Sequence, residues 1–502
     1  MKPYKTLIFI FSLLAGLALL SFIFPRDGIR LGSILFEFPS LSAVLGEPAE
    51  VEDTLDADID SAAIELSPEE LMAQRLEALH AAKDSEFVAY METSPTRFYL
   101  PDSDAAYLDP VFDAMLQARQ RPMRIMYYGD SQLECDRITD VLREHLQNEF
   151  GGNGAGLLPA VQTIGTTTAR VSTWPELTRY VGFGAAGNRS SHRRYGPLSQ
   201  MALVQGHATF QLSAIGGSSF PHCGTFRKVS IAVAGEGRLT LQVGETEYEL
   251  NAPEDSVFED RLHLFSKTLP SAVSKATLVA RGHMEVYGIM LDGGAGISLD
   301  NIAMRGSSGT HFTATDQNSM APFFQQQNIP LIILQYGGNS VPYLRSGKGI
   351  SNYKRQIMAQ IACLKRLSPR SRIIFIGPAD MATTSGEGEN ITMHTYPQLP
   401  QVVDSLRSAA LESGAAFWDM FRVMGGRGSM VKWVNARPQL AGEDYIHFTP
   451  RGARHISNLL WETLDFYYKY YRFRKGLDPE VLPEDTLTHE TDTLSDARSV
   501  AL

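Results

Sequence analysis

The chain has 502 residues, 44% of them hydrophobic, and a formal net charge of −11 from 45 Lys+Arg against 56 Asp+Glu. That length holds two to four domains, and the apolar fraction fills a sizeable core. The negative balance and the lack of a long basic run exclude nucleic acid as a partner. Three cysteines (Cys135, Cys223 and Cys363) are too few and too widely spaced for a disulfide framework or a zinc pattern.

Lys2 and Lys5 precede an apolar run over residues 7–24. At helical rise it covers roughly 27 Å, close to a bilayer core. Pro25-Arg26-Asp27 offers no small-x-small cleavage site. Residues 1–26 therefore read as an uncleaved signal anchor, a transmembrane helix with the membrane as partner. Its basic flank would lie in the cytoplasm and the rest of the chain in the periplasm or cell exterior. Residues 27–85 read as an acidic linker and stalk, with helical spacing over 68–80.

An amphipathic helix is predicted over 109–119. Next comes Arg124-Ile125-Met126-Tyr127-Tyr128-Gly129-Asp130-Ser131, an apolar strand that runs into a Gly-Asp-Ser turn, with a helix predicted over 136–149. Such a turn leaves a serine hydroxyl at the rim of a sheet, where nearby backbone N–H groups can stabilise an oxyanion. Alone, Gly-Asp-Ser is also an ordinary turn. Cys135 reads as a small buried apolar side chain rather than a nucleophile. The glycine run over 151–156 lacks the Lys-Ser/Thr of a phosphate loop, so it reads as a turn at a pocket edge.

Residues 209–291 carry short runs of period-two alternation separated by Gly, Asn and Pro, the signature of an antiparallel all-β module. Its likeness is to a carbohydrate-binding-type β-sandwich. Trp174, Tyr180 and Tyr195 either line a sugar-stacking face or pack at its junction. His222-Cys223 has no partners spaced for a metal. The α/β texture then returns. Buried strands are predicted over 329–335, 372–376 and 416–419, with helices over 351–367 and 400–413. Strands alternating with helices predict a parallel sheet covered on both faces. The last helix, 450–475, carries an aromatic stripe of Phe466, Tyr467, Tyr468, Tyr470 and Tyr471, read as docking on the core. The acidic tail, 476–502, reads as disordered.

Three further motifs fall where strands of the α/β part should end. Arg305-Gly306-Ser307-Ser308-Gly309 can offer a backbone N–H without a Cβ in the way. Gln335-Tyr336-Gly337-Gly338-Asn339 places a side-chain amide at a strand end. In Glu443-Asp444-Tyr445-Ile446-His447-Phe448-Thr449-Pro450, Asp444 and His447 stand just before a helix start. A carboxylate there can hold Nδ1–H and leave Nε2 free to take a proton from a serine.

The ordered set Gly-Asp-Ser, Gly, Gly-x-Asn and Asp-x-x-His resembles the SGNH (GDSL-type) hydrolases, over about 86–170 and 290–475. The resemblance implies a flavodoxin-like three-layer α/β/α fold with catalytic Ser131, Asp444 and His447. It implies an oxyanion hole of Ser131, Gly306 and Asn339, and no metal or organic cofactor. Gly306 fits the second block best, with Gly293, Gly294 and Gly296 just upstream. Position 340 is Ser where many members have Asp. The strand before Ser131, with Gly-Gly-Asn-Gly-Ala-Gly-Leu-Leu-Pro159 downstream, is similar to the peptidoglycan O-acetylesterase branch, which also carries a β module. The expected layout is a hydrolase domain over 86–170 and 291–475, interrupted by the β-sandwich module over 171–290. The expected activity is removal of O-acetyl groups from acetylated polysaccharide or peptidoglycan through an acyl-serine. The alternatives are an O-acetyltransferase using the same residues and a non-catalytic glycan-binding scaffold.

Overall fold

Met123–Gly129 is a strand with every residue buried, as its apolar run requires of a strand that has parallel neighbours on both sides. In the computed structural model, which describes residues 29–31, 34–36, 67–184, 188–252, 257–386 and 391–477, this strand belongs to a six-stranded sheet. The order is Ile297–Ala303, Met123–Gly129, Leu331–Gln335, Arg372–Ile376, Ala416–Trp418 and Phe98–Tyr99. All pairs are parallel except the last. Gly129 lies in register with both Ala303 and Gln335. Three strands thus end at one rim, and the loops after them carry Ser131, Gly306 and Asn339.

The strand's period of two sends alternate residues to opposite faces. Ile125 and Tyr127 join a core with Leu142, Leu146, Ile456 and Leu460 of helices Thr139–Phe150 and Pro450–Arg474. Met126 and Tyr128 join another with Ile357, Ile361, Val402 and Leu406 of helices Gly347–Leu367 and Leu399–Glu412. The result is a sheet between two helical layers.

The expected β module is an eight-stranded antiparallel sheet built on the long strands Gln200–Ala214, Phe226–Val243, Val257–Val273 and Lys275–Asp292. It begins before residue 171, because Gly156–Leu158 already pairs with Lys275–Asp292. The glycine run ahead of that strand is a close backbone approach. Gly154 has φ +88°, and a Cβ there would lie 2.2 Å from the Leu291 carbonyl oxygen. Arg124, buried on the six-stranded sheet, joins the two sheets. Its guanidinium pairs with Asp300 on the neighbouring strand and with Asp292, 2.6 Å away, at the end of the module's last strand.

The N-terminal expectations need correction. The transmembrane helix expected over 1–26 lies outside the described residues. Among the described residues no helix is long and apolar enough to cross a membrane. Their long helices, Pro68–Thr93, Gly347–Leu367 and Pro450–Arg474, all carry charged residues that a bilayer would exclude. The described residues thus form a mixed α/β fold, and the membrane helix of the expected fold class has no counterpart among them. The chain divides into residues 1–75 and 76–502. In the first unit, Ile29–Leu31 and Ile34–Phe36 pair as antiparallel strands where only linker was expected. The helix expected over 68–80 runs to Thr93. It is extended by aromatic docking: Phe87 stacks on Tyr470 at 3.7 Å and Tyr90 on Phe466 at 4.0 Å. Tyr467, Tyr468 and Tyr471 are buried, so the aromatic stripe of the last helix packs on protein. Most of the expected acidic tail lies outside the described residues.

Candidate active site

Gly129 ends the strand because no side chain fits there. A Cβ would meet Leu133 Cδ1 at 2.6 Å and the Gln335 carbonyl oxygen at 3.3 Å. Asp130 then caps a 3-10 turn over Ser131–Asp136, its Oδ1 accepting the Gln132 N–H at 3.0 Å. Ser131 opens that turn, so its own N–H has no intrahelical carbonyl to bind.

The loop before the last helix meets this turn. Asp444 Oδ1 accepts the N–H groups of Ile446 and His447, both at 3.0 Å. Its Oδ2 accepts from His447 Nδ1 at 2.7 Å, and Ser131 Oγ lies 2.8 Å from His447 Nε2. Partial burial works against the Asp444 charge. The His447 N–H, the imidazole and the Ile446 N–H outweigh it and hold the carboxyl below its usual range. A proton on Nδ1 leaves Nε2 as the acceptor facing the serine.

Two residues that sequence reasoning missed lock these loops together. Gln132 donates from Nε2 to the Ile446 carbonyl at 2.7 Å and accepts the Phe448 N–H at 3.4 Å. Arg137 donates to the carbonyls of Ser131, at 3.2 Å, and Phe448, at 3.3 Å. Their only sequence signal is nearness to Ser131.

Ser131, His447, Gly306 and Asn339 line one cavity of about 770 Å³. Gly306 has φ +73°, and its N–H donates to no protein group among the described residues. Gly293 and Gly296 sit instead against Asn153 and Gly151, by the start of strand Ile297–Ala303, away from the rim. Both amide hydrogens of Asn339 are engaged. Nδ2 donates to Asp130 Oδ2 at 3.2 Å and to the Ser307 carbonyl at 3.1 Å. Burial pushes the Asp130 carboxyl up to about 6, against the Gln132 N–H that it accepts.

Other sequence expectations come out differently. Cys135 is exposed, with φ +63°, where a buried side chain was expected: it stands at the kink within the 3-10 segment Ser131–Asp136. Trp174 is 71% exposed, whereas Tyr195 is buried. His222 Nδ1 pairs with Glu144 at 2.6 Å, and no group of three His, Cys, Asp or Glu able to hold a metal occurs among the described residues.

No protein-family model matches the chain, and no curated protein does. Among solved structures, one of a peptidoglycan O-acetylesterase superimposes with a TM-score of 0.60 at 19% identity, covering 75% of this chain and 99% of that one. The chain shares the fold of that O-acetylesterase. Two further structures align more loosely. Axe2, an acetylxylan esterase from Geobacillus stearothermophilus, has a TM-score of 0.26 at 15% identity over 34% of this chain and 74% of its own. A family two carbohydrate esterase from Cellvibrio japonicus has a TM-score of 0.22 at 9% identity over 60% and 99%.

Proposed function

We propose that the chain is a serine esterase that removes O-acetyl groups from a cell-wall or other exported glycan through an acyl-serine intermediate. The observation that carries this reading is the hydrogen-bonded chain Ser131–His447–Asp444, 2.8 and 2.7 Å, at the open rim of an SGNH fold. The choice of glycan draws on the β sheet beside the site and on the peptidoglycan O-acetylesterase that shares the fold. A working place outside the cytoplasm belongs to the same proposal.

In the first half-reaction Ser131 Oγ bonds to the acetyl carbon while His447 Nε2 takes its proton. The carbonyl electron pair moves onto oxygen. The N–H groups of Ser131 and Gly306, which bond to nothing else among the described residues, receive that oxyanion, with Asn339 as third donor. For this Asn339 must release either Asp130 or the Ser307 carbonyl. The Ser307 carbonyl, at 3.1 Å, is the neutral one of the two acceptors, so its exchange for a full negative charge is the favourable one. Collapse expels the sugar oxygen, which takes the proton from His447. Water then attacks acetyl-Ser131 with His447 again as base, releasing acetate and restoring the serine. Asp444 stabilises the imidazolium in both halves.

The test is acetate release from O-acetylated peptidoglycan strands and acetylated xylan by the wild type and Ser131→Ala. The variant should lose at least roughly 10⁴-fold in kcat. Release at the wild-type rate by Ser131→Ala would end the serine-esterase reading.

A further inference from the structure

A second cleft of about 560 Å³ adjoins the catalytic cavity, and Gly306 lines both. One wall comes from the turn after Ser131 and the other from the β module. Five charged residues line it: Glu134, Asp136, Arg143, Arg179 and Arg305. Four of them cancel in pairs. Arg305 clasps Glu134 through Nε and Nη2 at 2.8 and 2.6 Å, and Arg143 holds Asp136 at 2.6 Å. Arg179 is left over.

Arg179 stands on strand Thr178–Val181 of the β module. Its Nε donates to Gln200 Oε1 at 2.5 Å, which fixes the guanidinium plane. Among the described residues its terminal nitrogens have no hydrogen-bond partner and the guanidinium makes no ion pair. Arg124, Arg143 and Arg194 each face carboxylates that raise their basicity. For Arg179 burial acts alone and lowers it. A partly desolvated guanidinium, held by one neutral bond and with its outer edge free, offers a planar fork suited to a carboxylate.

The strand also leads straight to the catalytic loop. Arg189 donates to the carbonyls of Val181, Phe183 and Gly184, and so shapes the segment after the strand. Gly184 Cα lies 4.0 Å from where a Cβ of Gly306 would stand. Leu158, Pro159, Val161 and Phe183 supply apolar wall for sugar faces between the two ends.

We infer that this cleft is a glycan subsite in which Arg179 binds a carboxylate on the same chain that carries the ester, so that the enzyme selects acidic over neutral acetylated glycans. This rests on the esterase reading. It assigns Arg179 a role in substrate choice and none in the acyl transfer.

The test uses O-acetylated glycan strands freed of peptide, each bearing lactyl carboxylates, and the same strands amidated with methylamine. Wild-type protein should show a kcat/KM roughly ten-fold or more higher on the free-carboxylate strands, the range a charge-assisted pair supplies. Most of the difference should lie in KM. Arg179→Gln should erase the preference, and Arg179→Lys should restore part of it. Equal wild-type kcat/KM on the two strands would overturn the inference, as would a preference retained in Arg179→Gln. Circular dichroism checks that the variant is folded; if it is not, the wild-type comparison decides alone. Wild-type release of acetate from p-nitrophenyl acetate separates the two claims. With that activity present and no strand preference, only the subsite falls. With no activity on any ester, the esterase reading falls and takes the subsite with it.

Discussion

Arg124→Met removes the one cation between two buried carboxylates. The Arg124 side chain is 5% exposed, Asp292 10% and Asp300 0%. After the substitution Asp300 keeps only the Leu157 N–H at 2.8 Å, and its Oδ2 already has no partner. Asp292 keeps the Ser298 hydroxyl at 2.8 Å. Breaking a buried pair by removing one member costs about 3–5 kcal/mol, because the survivor stays charged and desolvated. The loss should therefore be about that size at pH 7, read as the shift in urea unfolding followed by circular dichroism. It should also depend on pH. Burial already holds the Asp300 carboxyl above its usual value despite Arg124, and loss of Arg124 raises it further. A group whose folded pKa exceeds its unfolded value binds more protons when folded, so its contribution to stability declines as pH rises. The deficit should be full at pH 7 and smaller near pH 5, where the carboxylates take up protons. Arg124→Met combined with Asp292→Asn and Asp300→Asn should recover much of the loss. A deficit below about 1 kcal/mol at pH 7 would refute this reasoning, as would a deficit that does not shrink at pH 5.

Asp444→Asn should lower kcat by roughly 10³–10⁴-fold while KM moves little, because the amide no longer stabilises the imidazolium; steady-state kinetics on an acetylated glycan checks this, and a loss under ten-fold would remove Asp444 from the triad. Gly129→Ala should cost about 1–3 kcal/mol by overpacking, since its Cβ would lie 2.6 Å from Leu133 Cδ1; unchanged urea unfolding would show that the turn yields. The Asp130 carboxyl is raised by burial to about 6, so its ionisation opposes folding between about pH 4 and pH 7. The stability difference, wild type minus Asp130→Asn, should accordingly fall by up to about 3 kcal/mol across that window; a constant difference would mean that Asp130 titrates as it does in the unfolded chain.

The site was legible in sequence where a motif ends an element. Ser131 and Asn339 follow apolar strands, and Asp444 and His447 precede a helix signalled by Thr449-Pro450, so local pattern placed each near the rim. What pattern could not supply were partners distant in sequence. Strand Ile297–Ala303 escaped notice because Ser298, Asp300 and Asn301 interrupt the continuous apolar run that marks a buried parallel strand. Asp300 is buried with Arg124 facing it, and the half-buried Asn301 donates to the Leu133 carbonyl. The same holds for Gln132 and Arg137, whose bonds to the histidine loop span more than three hundred residues. The helix Pro68–Thr93 runs past its expected end because Phe87 and Tyr90 find aromatic partners near the far end of the chain. The double engagement of the Asn339 amide is likewise a property of three loops together. Hydropathy alone supplied the membrane helix of the expected fold class, and no described helix repeats that pattern.

Ser131 as the nucleophile is tested most directly by labelling with a fluorophosphonate ester, peptide mapping by mass spectrometry and parallel measurement of acetate release. The prediction is a single adduct on Ser131, formed in step with loss of activity, slowed by orders of magnitude in His447→Ala and absent in Ser131→Ala. An adduct on another residue, or acetate release that survives full labelling of Ser131, would contradict it.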